Sequence, residues 1–183
     1  MGVGALKPAV FLDRDGVVNR ALVRDGKPHP PQTLEDLEVL PDTPDLLARL
    51  KVLGFSLVVV TNQPDVARGT QQRSVIDAMH QHLNSRLPLD AFYVCDHDDA
   101  DRCPCRKPKP GLLLRAADDL ALALNESFLI GDRWRDIDAG TAAGVRPIWI
   151  DYGYAERGPA TVPFARVKSL KEAVEQIESA VKR

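Results

Sequence analysis

Residues 9–12, 55–60 and 127–130 form three short, nearly unbroken apolar runs, AVFL, FSLVVV and SFLI. A strand wetted on one face alternates apolar and polar residues, so a run that is apolar throughout is covered on both faces. That restricts the architecture to a parallel sheet with helices on either side. The intervening segments supply those helices. Thr43 with Pro44 at the first helical position opens one, with Leu46, Leu47, Leu50 and Leu53 on its apolar face and Gly54 at its end. A second spans 72–87 with Val75, Ile76, Met79 and Leu83 inward, a third 112–124 and a shorter fourth 136–144. Residues 91–94 and 147–150 read as further strands. Ser169-x-x-Glu172 is a capping box opening a C-terminal helix that buries Val174, Ile177 and Val181. The expected fold is three-layer α/β, a Rossmann-like parallel sheet flanked by helices. At 183 residues and 44% hydrophobic the chain can bury one substantial core, which makes residues 1–183 a single domain.

Each of the three runs ends in chemistry. The first meets Asp13-Arg14-Asp15-Gly16, the second Thr61-Asn62-Gln63, and the third Gly131-Asp132 with Asp136 four residues on. A basic segment, Cys105-Arg106-Lys107-Pro108-Lys109-Pro110-Gly111, lies between the second and the third. Open α/β sheets place their ligands at the carboxyl ends of the strands. Two carboxylates one residue apart there can divide the work: one attacks an electrophile or binds a metal, and the other serves as general acid and base. Taken alone, Asp13-x-Asp15-Gly16 is also compatible with a surface turn. A calcium loop is excluded, because the glycine falls at the fourth position and Arg24 occupies the twelfth, where glutamate is needed.

All three cysteines fall in one stretch, Cys95-Asp96-His97 followed by Cys103-Pro104-Cys105. Three thiolates and an imidazole make a tetrahedral Cys₃His set for structural zinc, with spacings tighter than those of common zinc fingers. An odd cysteine count argues against a disulfide framework, and C-x-C is not the C-x-x-C of thioredoxin-like redox sites. Four protein ligands leave no open coordination position, so the zinc would pin the loop that presents Lys107 and would not activate water.

From Val10 to about Ile150 this ordered set resembles the haloacid dehalogenase (HAD) superfamily of phosphotransferases. The resemblance implies a HAD-type core in which Asp13 is the nucleophile and Asp15 the acid/base. It implies that Thr61 and Asn62 grip the transferring phosphoryl group together with Lys107, and that Mg²⁺ is held by Asp13, Asp15 and Asp132 with Asp136 behind them. On that reading Asp15 must hold a proton near neutral pH, so its surroundings are expected to raise its pKa. The zinc loop followed by Arg106-Lys107-Pro108 resembles the branch of heptose 1,7-bisphosphate and histidinol-phosphate phosphatases. The segment from Phe11 to Asn19, and Thr61-Asn62-Gln63 continuing to Val66-Ala67-Arg68-Gly69, favour the heptose side, implying removal of a C7 phosphate in the supply of activated heptose. Pro64-Asp65 stands where that side usually has Ser-Gly, and Arg133 where it often has lysine. Asn19, Arg68 and Arg106 join Thr61, Asn62 and Lys107 as substrate-binding candidates. A phosphoacceptor switch and a zinc-bearing interaction module are the non-enzymatic alternatives. Asp15 argues against the switch, since an acid/base group would hydrolyse the acyl phosphate.

A net charge of −2 and basic clusters without interleaved aromatics give no case for nucleic acid. No run approaches the ~20 apolar residues of a membrane span, and the start lacks a signal-peptide layout. Met1-Gly2 is not a myristoylation signal, because Leu6 stands where Ser or Thr is needed. A cytoplasmic enzyme of small phosphorylated metabolites, monomeric or weakly self-associating, is expected. The segments from Asp13 to Thr61 and from Thr61 to Lys107 are used up by core elements and the zinc loop. With no room for a cap domain, specificity falls to loops in which Arg20, Arg24, His29 and Arg68 are candidates for a second phosphate. His80 and His82 read as surface or boundary residues, and 151–163 as a surface loop.

Overall fold

The computed structural model describes residues 5–182, so the Met1-Gly2 start lies outside the described residues. The expected runs become β1 (Ala9–Leu12), β4 (Ser56–Asn62) and β6 (Phe128–Gly131), joined by β5 (Ala91–Cys95), β7 (Arg146–Ile150) and β8 (Ala165–Val167). These six form one parallel sheet in the order β5-β4-β1-β6-β7-β8. The absence of alternation has its cause in packing on both faces. Val10 and Leu12 of β1, Leu57 and Val59 of β4, and Phe128 and Ile130 of β6 join one buried cluster with α1 (Thr43–Val52), α2 (Arg73–Arg86) and α5 (Leu170–Val181). Ala9, Phe11, Val58, Val60 and Leu129 point the other way, into a second cluster with α3 (Gly111–Leu120) and α4 (Trp134–Ala143). A fully buried Leu or Phe is worth roughly 1.5–3 kcal/mol relative to exposure, so these two layers hold the sheet.

The order reverses at β1: the chain builds outward to β4 and β5, then returns to place β6 on the other side. Such a switch point opens a crevice beyond the strand ends. The Asp13 amide donates to the Ile130 carbonyl at 3.0 Å, so the first acidic motif is fastened to the strand that carries the last.

Several local expectations change. The helix expected over 112–124 stops at Leu120, because Ala121 turns left-handed (φ +52°) and Leu122 and Ala123 leave the helical path to bury themselves and pair with Lys7. At Ser169 only half of the capping box forms. Its hydroxyl accepts from the Glu172 amide, but the Glu172 carboxylate accepts from Lys168 N, one residue too early. His80 is buried, not at the surface: α2 turns it inward to stack on Phe92 and meet Arg14. Two elements had no sequence expectation, β8 and an antiparallel hairpin of β2 (Leu22–Arg24) and β3 (Lys27–His29). No helix among the described residues is long and apolar enough to cross a membrane.

Candidate active site

At the switch point the ends of β1 and β6 and the start of α4 bring Asp13, Asp132 and Asp136 together, one oxygen from each lying within 4.8 Å of the others. All three are buried. Lys107, itself 2% exposed, reaches in from the basic segment and spends its three donors on Asp13 Oδ1 (2.8 Å), Asp136 Oδ1 (2.5 Å) and the Val60 carbonyl (2.8 Å). One ammonium does not balance three carboxylates. Burial pushes Asp13 up to about 6 against the pull of Lys107, and burial and the charges of Asp13 and Asp136 raise Asp132 well above the usual carboxylate range. Burial disfavours the Lys107 ammonium, yet Asp13 and Asp136 outweigh it and hold the lysine charged.

This donor set fits a divalent hard cation. Three carboxylates converge, the local charge is negative, and Asp132 Oδ1 is buried without a hydrogen-bond partner. Gly16 makes the arrangement possible. It sits at φ +97°, and a Cβ there would fall 1.9 Å from Asp132 Oδ2.

Asp15 does not join this group. Arg14 is fully buried beneath it and donates Nε to Oδ1 (3.0 Å) and Nη2 to Oδ2 (2.9 Å), while Asn19 and Gln63 donate one amide hydrogen bond each. Burial alone would raise Asp15, but the Arg14 charge and these hydrogen bonds outweigh it and hold the carboxyl below its usual range. The expected raised pKa is therefore reversed, and the Asp15 carboxylate is separated from the cation-binding set by its own partners. Buried arginine needs such a fork, since an unpaired guanidinium in the core is prohibitively costly. The neutral His80 ring completes the shell, with Nε2 3.3 Å from Arg14 Nη1.

The remaining candidates divide. Thr61, Asn62, Arg68, Arg106 and Lys107 line one cleft of about 310 Å³ with Asp13, Asp15 and Asp136. The Asn62 side chain is engaged by the backbone of Lys107, donating to its carbonyl and accepting from its amide at 3.1 Å each. Asn19 is buried behind Asp15 and lies outside the cleft lining. Arg20 pairs with Glu38 and, like Arg24, is away from the cleft, whereas His29 lines it. Arg68 pairs with Asp98 and Asp65, and Arg106 with Asp99.

Sequence reasoning passed over Arg14, Gln63, Lys27 and the loop 151–163. That loop is not a plain surface excursion. Tyr154 donates to Asp132 Oδ2 at 2.9 Å, Tyr152 donates to the Gly16 carbonyl at 3.0 Å, and Glu156 pairs with Arg133. Burial and the Asp132 charge push the Tyr154 phenol up, which keeps it a donor. The sequence offered a signal for Arg14, a cation between two aspartates at a buried strand end; for Tyr154 it offered none.

The second cluster gathers Cys95, His97, Cys103 and Cys105. Sulfur separations are 3.1 to 3.6 Å, and His97 Nδ1 lies 3.4 and 3.6 Å from Cys105 and Cys95. Tetrahedral zinc with Zn–S near 2.3 Å places its ligand atoms about 3.5–3.8 Å apart, and the four converge at or slightly inside that spacing. The loop is tightly wired. Gly111 donates to the Pro104 carbonyl, where a Cβ would come within 2.4 Å, and the Lys109 ammonium caps the carbonyls of Arg102 and Cys103. The Gln63 amide donates to the Cys95 carbonyl at 2.7 Å, joining the loop to the end of β4.

Comparison with known proteins agrees with this geometry. The HAD-hydrolase-like family model matches residues 104–173. A D-glycero-beta-D-manno-heptose-1,7-bisphosphate 7-phosphatase of Helicobacter pylori strain J99 is 33% identical over 180 residues, covering 93% of this chain and 97% of the relative. Its namesake in Escherichia coli K12 is 38% identical over 150 residues, 75% of each chain. Among solved structures, the D,D-heptose 1,7-bisphosphate phosphatase of B. bronchiseptica, complexed with magnesium and phosphate, superposes with a TM-score of 0.75 at 27% identity, covering 94% of this chain and 99% of that one.

Proposed function

Because this chain belongs to the HAD-like hydrolases, in the group of its heptose-bisphosphate phosphatase relatives, we propose that it is a Mg²⁺-dependent, zinc-stabilised phosphatase that removes the C7 phosphate of D-glycero-D-manno-heptose 1,7-bisphosphate, residues 1–183 acting as one domain. The observation that carries the mechanism is the burial of Asp13, Asp132 and Asp136 around Lys107 at the switch point. Asp13 and Asp132 would hold the Mg²⁺, with Asp136 behind them, its two oxygens accepting from Lys107 and the Arg133 amide; when bound, the ion offsets the negative charge of the phosphoryl oxygens.

Asp13 attacks phosphorus in line, and the P–O bond to the sugar breaks, leaving an aspartyl phosphate. Asp15 gives the departing C7 oxygen its proton, then removes one from the water that hydrolyses the aspartyl phosphate. Its lowered pKa keeps it ionised in the free protein. A phosphate dianion brought beside it raises its affinity for a proton, so proton uptake accompanies substrate binding. Lys107 and the Thr61 hydroxyl face the transferring group, while Asn62 holds the lysine backbone. Lys27, which has no carboxylate partner among the described residues, and His29 line the same cleft from the hairpin, as do Arg68 and Arg106. Together they would face the anion that does not react. Four-ligand zinc at Cys95, His97, Cys103 and Cys105 fixes the loop leading into Lys107.

Phosphate release with Mg²⁺ tests this, comparing kcat/KM for the heptose 1,7-bisphosphate, histidinol phosphate and simple sugar phosphates. A preference of ~100-fold for the bisphosphate, about 2.7 kcal/mol of differential transition-state binding, is expected. A preference for histidinol phosphate overturns the substrate assignment.

A further inference from the structure

The two oxygens of Asp132 have different surroundings: Oδ2 accepts from the Tyr154 hydroxyl at 2.9 Å, and Oδ1 is buried with no hydrogen-bond partner. A carboxylate otherwise free to rotate is thereby held with one oxygen uncommitted. Gly16 leaves the space into which Oδ2 projects, and Trp149 Nε1 donates to the Asp132 carbonyl at 3.2 Å. The tyrosine is held in turn. Ala155 N donates to the Gly26 carbonyl at 2.8 Å, Gly153 N to Asp151 Oδ1 at 2.9 Å, and Glu156 pairs with Arg133. The loop thus joins the β2–β3 hairpin to α4 across the aspartate.

We infer that Tyr154 is a positioning residue for the cation site, fixing Asp132 so that Oδ1 is presented to the space shared with Asp13 and Asp136. This rests on the reading of Asp132 as a cation ligand. Hydrogen bonds behind a ligand set its orientation, and losing one typically costs 10–100-fold in metal affinity. Tyr154 does not touch the reacting atoms, so its removal acts on cation binding first and on turnover only through it.

Mn²⁺ serves as the probe. Free Mn²⁺ is titrated by electron paramagnetic resonance against the zinc-loaded full chain without substrate, for the unaltered protein, Tyr154→Phe, Tyr152→Phe and Asp132→Asn. Tyr154→Phe keeps the ring and hence the loop packing, and is expected to weaken Mn²⁺ binding about tenfold or more. Tyr152→Phe removes a hydroxyl from the same loop that meets no carboxylate, and is expected to leave affinity unchanged. Asp132→Asn is expected to lose it. In turnover, Tyr154→Phe should raise the Mg²⁺ needed for half-maximal rate while kcat at saturating Mg²⁺ recovers. Unchanged affinity in Tyr154→Phe beside its loss in Asp132→Asn overturns the role of Tyr154 and leaves the cation site standing. Retained affinity in Asp132→Asn removes the cation site, and this inference with it. Equal weakening by both tyrosine variants assigns the effect to the loop and likewise overturns it.

Discussion

The carboxylate centre and the thiol cluster are both candidate ligand sets, yet they are built in opposite ways. Cys95, His97, Cys103 and Cys105 lie within eleven residues of chain and are held by local turns, with Cys103 and Cys105 only half-buried. Asp13, Asp132 and Asp136 come from segments far apart in the chain, meet because β1 pairs with β6, and are all buried. The soft, local set suits a metal that stabilises a loop. The hard, long-range set sits in low dielectric, where charge on a reacting group is strongly felt. Proximity in sequence thus goes with a structural task, and proximity by folding with a chemical one.

The sharpest way to break this contrast is Asp13→Asn, expected to lower turnover by about a thousandfold or more with the melting temperature near that of the parent, since only the nucleophile is lost. Measurable turnover within about tenfold of the parent would take the chemistry away from the carboxylate centre. Next comes Gly16→Ala. Its Cβ, 1.9 Å from Asp132 Oδ2 on a backbone at φ +97°, must displace the aspartate. A loss of about a hundredfold in activity with weakened Mn²⁺ binding is expected, checked by kinetics and metal titration.

Removing zinc with a chelator that spares Mg²⁺ probes the other region. Activity should fall about tenfold, added Mg²⁺ should not restore it, and far-ultraviolet circular dichroism should stay close to that of the parent, because both core clusters lie largely outside the loop. Full activity in zinc-free protein would uncouple the two regions.

The smallest effect on turnover is expected at His80, where the readout is stability. Burial and the Arg14 charge lower its pKa from 6.5 to about 4. The unfolded chain therefore binds a proton between those values while the folded one does not, and stability falls as pH drops through that window. Denaturant midpoints should show about 2 kcal/mol lost from this group between about pH 7 and about pH 5, and His80→Gln should flatten that loss. An identical slope in the variant would remove His80 as its source.

How much of the site was legible follows the same division. The Cys₃His cluster could be read from spacing alone, Asp13 and Asp132 from their places after apolar runs, and Lys107 from the basic segment between the second and third motifs. The partners that set their electrostatics could not. Arg14 and Gln63 reverse the expected pKa of Asp15, the Asn62 side chain braces the Lys107 backbone, and Tyr154 arrives from a loop read as surface.

By itself the sequence determined that strands buried on both faces would form a parallel sheet ending in carboxylates, and that four soft ligands would share one loop. Both are properties of neighbouring residues, and apolar burial and ligand spacing act at that range. Only the tertiary structure decided which oxygen of Asp132 stays free and which aspartate lies over a buried guanidinium, and that the loop after β7 closes over the site. Those outcomes depend on distances of a few ångströms between segments far apart in the chain, where Coulomb and hydrogen-bond energies change steeply and no local pattern records them.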